Sequence, residues 1–315
     1  MKFDYLEETT GKFIEGLIEK NAPPIYTLAP EAARKVLDDL QSGPVKKLPV
    51  QIDDHLLTDK KVSIRIIRPE GSAGKLPVIM YYHGGGWILG NKNTHDRLVR
   101  ELAVGANAAV VFVNYTPSPE AKFPKPLEEA FDATQYIIEH GKEFNLDPTR
   151  LAVVGDSVGG NMAIAMTLLA KERGLKILTQ VLFYPVTDAN FNSGSYQQFA
   201  EGPWLTKAAM EWFWNAYAPN MADRKKPTAC PLLASVDALR NLPPALVITD
   251  ENDVLRDEGE AYAHKLMQAG VAVTAIRFLG TFHDFALLND LSETPAARGA
   301  IALAIGHLEK FLHGK

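Results

Sequence analysis

The chain has 315 residues, 46% hydrophobic and 23% charged, an ordinary globular composition with enough apolar material for a large core. A formal charge of -5 and an isoelectric point near 5.9 leave no basic footprint for nucleic acid or an anionic lipid surface. Cys230 is the single cysteine, so an intrachain disulfide and a cysteine-based zinc site are both excluded.

Acidic residues interrupt the first 20 positions, unlike the apolar core of a signal peptide, and no later apolar run reaches the roughly 18 residues that span a membrane. A soluble, cytoplasmic protein without stable membrane insertion is expected. Leu6, Phe13, Ile14, Leu17 and Ile18 recur at helical spacing, and Pro30 suits the first turn of a second amphipathic helix ending near Gln41.

From residue 49 the pattern changes to short runs with β-branched residues. Val50 to Leu57 and Val62 to Ile67 read as an antiparallel pair at a sheet edge. Val78 to Tyr82, Ala109 to Val113, Leu151 to Val154, Val181 to Tyr184, Ala245 to Thr249 and Val271 to Phe278 are continuously apolar or nearly so and alternate with helix-like segments. That alternation predicts an α/β fold with a mostly parallel, eight-stranded sheet covered on both faces. Residues 188–227 are too long for a plain crossover and hold Trp204, Trp212 and Trp214, three of the four tryptophans. They read as a lid over an apolar pocket or as a longer helical excursion with its own core.

Gly155-Asp156-Ser157-Val158-Gly159 follows a β-rich run and opens onto the helical stretch Asn161 to Lys171, the context of a nucleophile elbow. A serine at that turn sits in a strained conformation with its hydroxyl exposed, and the flanking glycines let strand and helix approach. His83-Gly84-Gly85-Gly86-Trp87 follows the Val78 to Tyr82 run, where this fold places amides that bind an oxyanion. A phosphate-cradling loop would need a Lys-Ser/Thr that is absent here. The other partners should follow later strands in the order Asp, then His. Asp250 and Asp253 both follow Ala245 to Thr249, and spacing alone does not separate them. Apart from His83 of the glycine loop, which more often orients that loop, His283 alone among the eight histidines occupies a loop after a parallel strand. His95, His140, His264, His307 and His313 read as surface residues of helical or tail segments.

These residues resemble the hormone-sensitive-lipase-like family of α/β-hydrolases, in its bacterial esterase branch with a Gly-Asp-Ser-x-Gly elbow. His83 to Trp87 is similar to the family's oxyanion motif, Gly155 to Asn161 to its elbow, and Asp253 to Gly259 to its acid-bearing Asp-Pro-Leu-Arg-Asp-Glu-Gly. That last likeness favours Asp253 over Asp250. The resemblance implies a cap built from helices in residues 1–45 and an insertion at 188–227, around a core of 46–187 and 228–315. Four departures stand out: Val158 for alanine, Val254 for proline, Thr116-Pro-Ser-Pro-Glu120 for Arg-Leu-Ala-Pro-Glu, and Asp284 for the glycine after the histidine.

The expected chemistry is carboxylic ester hydrolysis of short to medium acyl chains through an acyl-enzyme, with Ser157 as nucleophile, His283 as base and Asp253 as acid partner. Val158 and two amides among Gly84, Gly85 and Gly86 are expected to form the oxyanion hole. Trp87, Trp204, Leu205 and Phe213 are expected at the substrate pocket, although Trp204 and Phe213 serve equally well as cap core. The partner is a small ester; no metal or organic cofactor is needed, and a homodimer is compatible. The same triad also suits a small amide, and some relatives are ligand receptors that lack the histidine, which this chain has.

Overall fold

The computed structural model describes residues 5–57 and 62–314. Strands β1 (Val50–Leu57), β2 (Val62–Pro69), β3 (Leu76–Tyr82), β4 (Ala109–Asn114), β5 (Leu146–Asp156), β6 (Thr179–Phe183), β7 (Ala245–Asn252) and β8 (Val273–Phe282) form one sheet in the order β1-β2-β4-β3-β5-β6-β7-β8. β2 runs antiparallel to both β1 and β4, and every other pairing is parallel. All eight expected strands form. β5 and β8 differ most from expectation: β5 begins five residues before Leu151, and β8 begins two residues late and runs on to Phe282.

Alternating side chains of the central strands enter different cores, because successive residues of a strand point to opposite faces. Val78, Met80 and Tyr82 pack on one side, with residues of helices α4 (Lys125–His140), α5 (Val158–Arg173) and α9 (Arg256–Gln268). Ile79 and Tyr81 pack on the other, against α1 (Glu8–Lys20), α3 (Asp96–Gly105) and α10 (Pro295–His313). Burial on both faces explains why these strands read as unbroken apolar runs. β8 departs from this: its first seven residues are exposed or half-buried, as an edge strand permits.

The second amphipathic helix, α2, spans Pro30–Leu40 with proline in its first turn, and buries Ala33 and Leu37. In α1, Ile14 is buried, but Ile18 is 50% exposed, so the apolar stripe contacting the core is narrower than its sequence pattern. Residues 188–227 contain α6 (Gly194–Gln198) and α7 (Lys207–Tyr217), the latter started by Thr206, whose hydroxyl accepts from Ala209 N–H. A single-turn helix at Ile25–Thr27 lies against α7, and Phe13 of α1 lies 6.0 Å from Trp204. A short α8 (Val236–Leu239) precedes β7. Among the described residues no helix is long and apolar enough to cross a membrane.

Candidate active site

The carboxyl ends of β5, β7 and β8 converge. Ser157 follows β5 directly, with φ 55° and ψ -120°, a strained backbone of the kind that persists at functional sites. The turn is possible because the residues two before and two after Ser157 have no side chain: a Cβ on Gly155 would strike the Gly159 carbonyl, and one on Gly159 would strike the Tyr82 carbonyl. Asp253 follows β7 and His283 follows β8. His283 Nε2 lies 2.9 Å from Ser157 Oγ, and His283 Nδ1 lies 2.8 Å from Asp253 Oδ2. Asp253 also accepts from Leu255 N–H at 3.0 Å. All three residues are almost fully buried, Ser157 being the most open at 4%.

Asp250 is the competitor that geometry sets aside. It lies within β7 and is fully buried, and neither of its oxygens has a hydrogen-bond partner. Burial, then the neighbouring Asp253, pushes its carboxyl well above the usual range, so it stays protonated and neutral. Asp250, Asp253 and His283 bring potential ligand atoms within 4.8 Å of one another and could hold a metal ion. An ion there would have to displace the His283–Asp253 hydrogen bond.

The imidazole of His283 is surrounded by carboxyl groups. Burial opposes its positive charge, but attraction to Asp253 and then Asp284, with the hydrogen bond His283 donates to Asp253, outweighs it and pushes its pKa up to about 10. Asp284 does point inward, with Oδ1 3.6 Å from His283 Nε2 and Oδ2 accepting from Trp204 Nε1 at 3.0 Å. Its φ of 69° belongs to the left-handed region, which accounts for the glycine expected there and for why aspartate is a tolerable substitute. Tyr184 presses its ring edge-on against His283, with centroids 4.8 Å apart.

At the glycine loop one expected donor is committed elsewhere. Gly84 N–H donates to Asp156 Oδ1 at 3.0 Å, which removes it from the candidate oxyanion donors. The N–H groups of Gly85, Gly86 and Val158 have no acceptor among the described residues. Phe213 of α7 covers the loop so closely that a Cβ on Gly86 would enter its ring. Leu205 belongs to the same buried cluster.

Trp87, expected at the substrate pocket, is instead occupied in packing. It is fully buried, stacked on Tyr217 at 4.0 Å and edge-on to Trp214 at 4.8 Å, so it carries α7. Trp204 is half-buried and joins α1, β8 and Asp284 through Phe13, Phe282 and its indole N–H. His95, expected on the surface, is fully buried behind the elbow, with Nε2 3.2 Å from Asp156 Oδ2. A histidine beside the helix start Asp96–Gly105 carries no sequence signal for that contact, which only the tertiary fold creates. His307 and His313 are also half-buried, contacting Thr179 Oγ1 at 2.6 Å and Ala106 O at 2.9 Å. Arg97 and Gln41, which the sequence did not single out, hold the loop after His283. Arg97 donates to the carbonyls of Ala286 and Leu287, and Gln41 donates to Leu287 O.

A nucleophile on a strained turn, a base bonded to it, an acid bonded to the base and open amides nearby define a serine hydrolase arrangement on an α/β sheet. A family profile described as the alpha/beta hydrolase fold matches residues 79–287, and the chain belongs to that family. It is 42% identical over 306 residues to an α/β hydrolase of Acanthamoeba polyphaga mimivirus, covering 97% of this chain and 88% of that one. It is 38% identical to an ethyl acetate hydrolase of Pseudomonas putida over 280 residues, 86% of this chain and 87% of that one. The crystal structure of a thermostable esterase from Pseudomonas putida superposes with a TM-score of 0.95 at 45% identity, covering 99% of each chain.

Proposed function

We propose that this chain is a carboxylesterase of the hormone-sensitive-lipase-like branch with a Gly-Asp-Ser-x-Gly elbow, hydrolysing short to medium acyl esters of small molecules. The observation that carries the reading is the hydrogen-bonded series Ser157 Oγ, His283, Asp253, with links of 2.9 and 2.8 Å, in a chain whose relatives include proteins named as esterases.

In this reading His283 Nε2 takes the Ser157 proton as Oγ bonds to the ester carbonyl carbon. The carbonyl π pair moves onto oxygen, where Gly85, Gly86 and Val158 N–H groups stabilise the charge. Collapse breaks the bond to the alcohol, which leaves with the proton held by His283. Water then loses a proton to His283 and attacks the acyl-enzyme; the acid departs and Ser157 regains its hydrogen. Asp253 holds the imidazole tautomer and offsets the imidazolium charge. The scheme needs no metal or organic cofactor.

Residues 1–45, of which 1–4 lie outside the described residues, and 188–227 act as the cap over this site, with Phe213, Leu205 and Trp204 forming its apolar wall. The Phe213 ring over Gly86 and the Trp204–Asp284 bond support that role. The same reading puts the enzyme in the cytoplasm, where a lone buried thiol such as Cys230 needs no partner, and is compatible with a homodimer. Cell fractionation and sedimentation velocity test these two points.

Ser157→Ala tests the central claim. Hydrolysis of p-nitrophenyl butyrate should fall about 10⁴- to 10⁶-fold with circular dichroism unchanged. Near-wild-type turnover by the purified variant would overturn it.

A further inference from the structure

The elbow carries an acidic residue to which the proposed ester hydrolysis assigns no role. Asp156 precedes Ser157 and is fully buried. Its Oδ1 accepts from Gly84 N–H at 3.0 Å and from the Tyr81 hydroxyl at 2.7 Å, while Oδ2 lies 3.2 Å from His95 Nε2. His95 is fully buried as well, with Nδ1 2.9 Å from Thr94 Oγ1. A Cβ on Gly84 would collide with the Asp156 carboxylate, so loop and elbow are seated directly on one another.

Burying a carboxylate is costly unless donors surround it. Here all three donors come from the glycine loop, from the strand that feeds it, or from the segment that follows it, so the charge is compensated only when those pieces are in place. Burial opposes ionisation of Asp156, but attraction to His95, with the hydrogen bonds from His95 and Tyr81, outweighs it and holds the carboxyl below its usual range. The loop is clamped from its other side too. His83 stacks between Tyr115, at 4.3 Å, and Phe112, at 5.3 Å, and its Nδ1 lies 2.8 Å from Gly84 O. Burial, then the neighbouring His95, pushes His83 down to about 3, so it remains neutral and serves as packing.

The direction of the Gly84 peptide governs the two amides that follow, because planar peptide units are joined through only two soft torsions per residue. We infer that Asp156 and His95 are a pair of positioning residues: the carboxylate, held in place by His95, fixes Gly84 so that Gly85 and Gly86 N–H point at the developing oxyanion beside Ser157. This rests on the carboxylesterase reading. It adds that the aspartate of the elbow serves transition-state stabilisation and that a histidine far from the triad in sequence takes part through it. The distinction from mere core satisfaction is kinetic: a misaimed donor weakens the tetrahedral state, which carries the charge, more than the bound ester, which does not.

The test uses the full chain, with active sites counted by titration with diethyl p-nitrophenyl phosphate so that unfolded molecules drop out. His95→Leu should lower kcat per titrated site on p-nitrophenyl butyrate by about 10- to 100-fold, with KM within about threefold of wild type. It should weaken an alkylboronic acid, whose serine adduct is tetrahedral and anionic, by a similar factor. His95→Gln, which retains an N–H donor toward Asp156 Oδ2, should recover most of both. Asp156→Asn keeps an acceptor for Gly84 but loses the charge, and should fall between wild type and His95→Leu. If His95→Leu melts at lower temperature yet matches wild type in kcat per site and boronate affinity, the pair is structural only and the inference fails. If His95→Leu does not fold, the inference fails equally on unchanged kcat and boronate affinity in Asp156→Asn. A wild-type protein that binds the boronate but hydrolyses no ester would sink the esterase reading alone, since boronate affinities across the variants still decide the positioning role.

Discussion

The elbow with its glycine loop and the covering segment 188–227 meet at the same carboxyl edge of the sheet, yet they are held by different forces. Behind the elbow, directed hydrogen bonds tie Asp156 to His95, Tyr81 and Gly84, and Tyr115 to the His83 carbonyl, so that each of these five residues has a partner. Over it, α7 is held by aromatic faces, and several buried polar atoms there have none: Trp87 Nε1, Trp214 Nε1, Tyr217 OH and Tyr196 OH. Directed bonds define one geometry, which suits a site that must aim donors within tenths of an ångström. Aromatic packing is less particular about position, and unsatisfied N–H and O–H groups lower the cost of moving apart. In the proposed reading the first region fixes the chemistry, and the second yields to a substrate and limits its size.

The contrast is tested most severely in the polar half. Asp253→Asn should depress kcat by about 10⁴-fold, because the amide favours the wrong imidazole tautomer. Asp250→Asn should change it less than about tenfold, because the neutral, unpartnered Asp250 carboxyl is close in shape and charge to an amide. Equal losses in the two, measured on folded protein, would reverse the assignment.

In the apolar half the effect should be smaller and should depend on substrate. Each buried methylene contributes about 0.8 kcal/mol, so kcat/KM should rise with acyl length until the wall is met, with a peak at roughly four to eight carbons. Phe213→Ala should move that peak to longer chains while lowering stability by about 3 kcal/mol, read by p-nitrophenyl esters from acetyl to palmitoyl and by urea unfolding. An unchanged profile would show that the wall lies elsewhere.

The mildest perturbation probes the one side chain that joins the halves. Asp284→Asn keeps an oxygen to accept from Trp204 Nε1 but removes a carboxyl group 3.6 Å from His283 Nε2. Asp253 and Asp284 both raise the His283 pKa, and removing one lowers it. The base is then neutral at lower pH, so the acid limb of the kcat/KM profile should move in the acid direction. A shift in the alkaline direction would mean that Asp284 does not act on the imidazole through its charge.

Much of this molecule is legible in its chain alone. Eight strands, two N-terminal helices and the elbow can be read because local physics writes them into the residues: unbroken apolar runs for strands buried on both faces, proline in a first helical turn, glycines where backbones touch. Ser157 and His283 can be read because each follows a strand directly, and the order of motifs along the chain mirrors the order of the loops.

What lies beyond the sequence are the contacts between segments distant along it. Asp250 and Asp253 are both acids after one strand, and a 2.8 Å approach to His283 separates them only once β7 and β8 are aligned. His95 reads as a surface histidine of a helix start until α3 packs it behind the elbow 61 residues away. Trp87 reads as a pocket residue until Tyr217 stacks on it, and Gly84 as an oxyanion donor until Asp156 takes its N–H. The sequence by itself determined the fold and which serine and histidine stand as candidate nucleophile and base, since periodicity and backbone sterics act over a few neighbouring residues. Only the tertiary structure decided which acid, which amides and which aromatics lie beside them, because hydrogen bonds and ring contacts depend on distances of a few ångströms between residues brought together by packing.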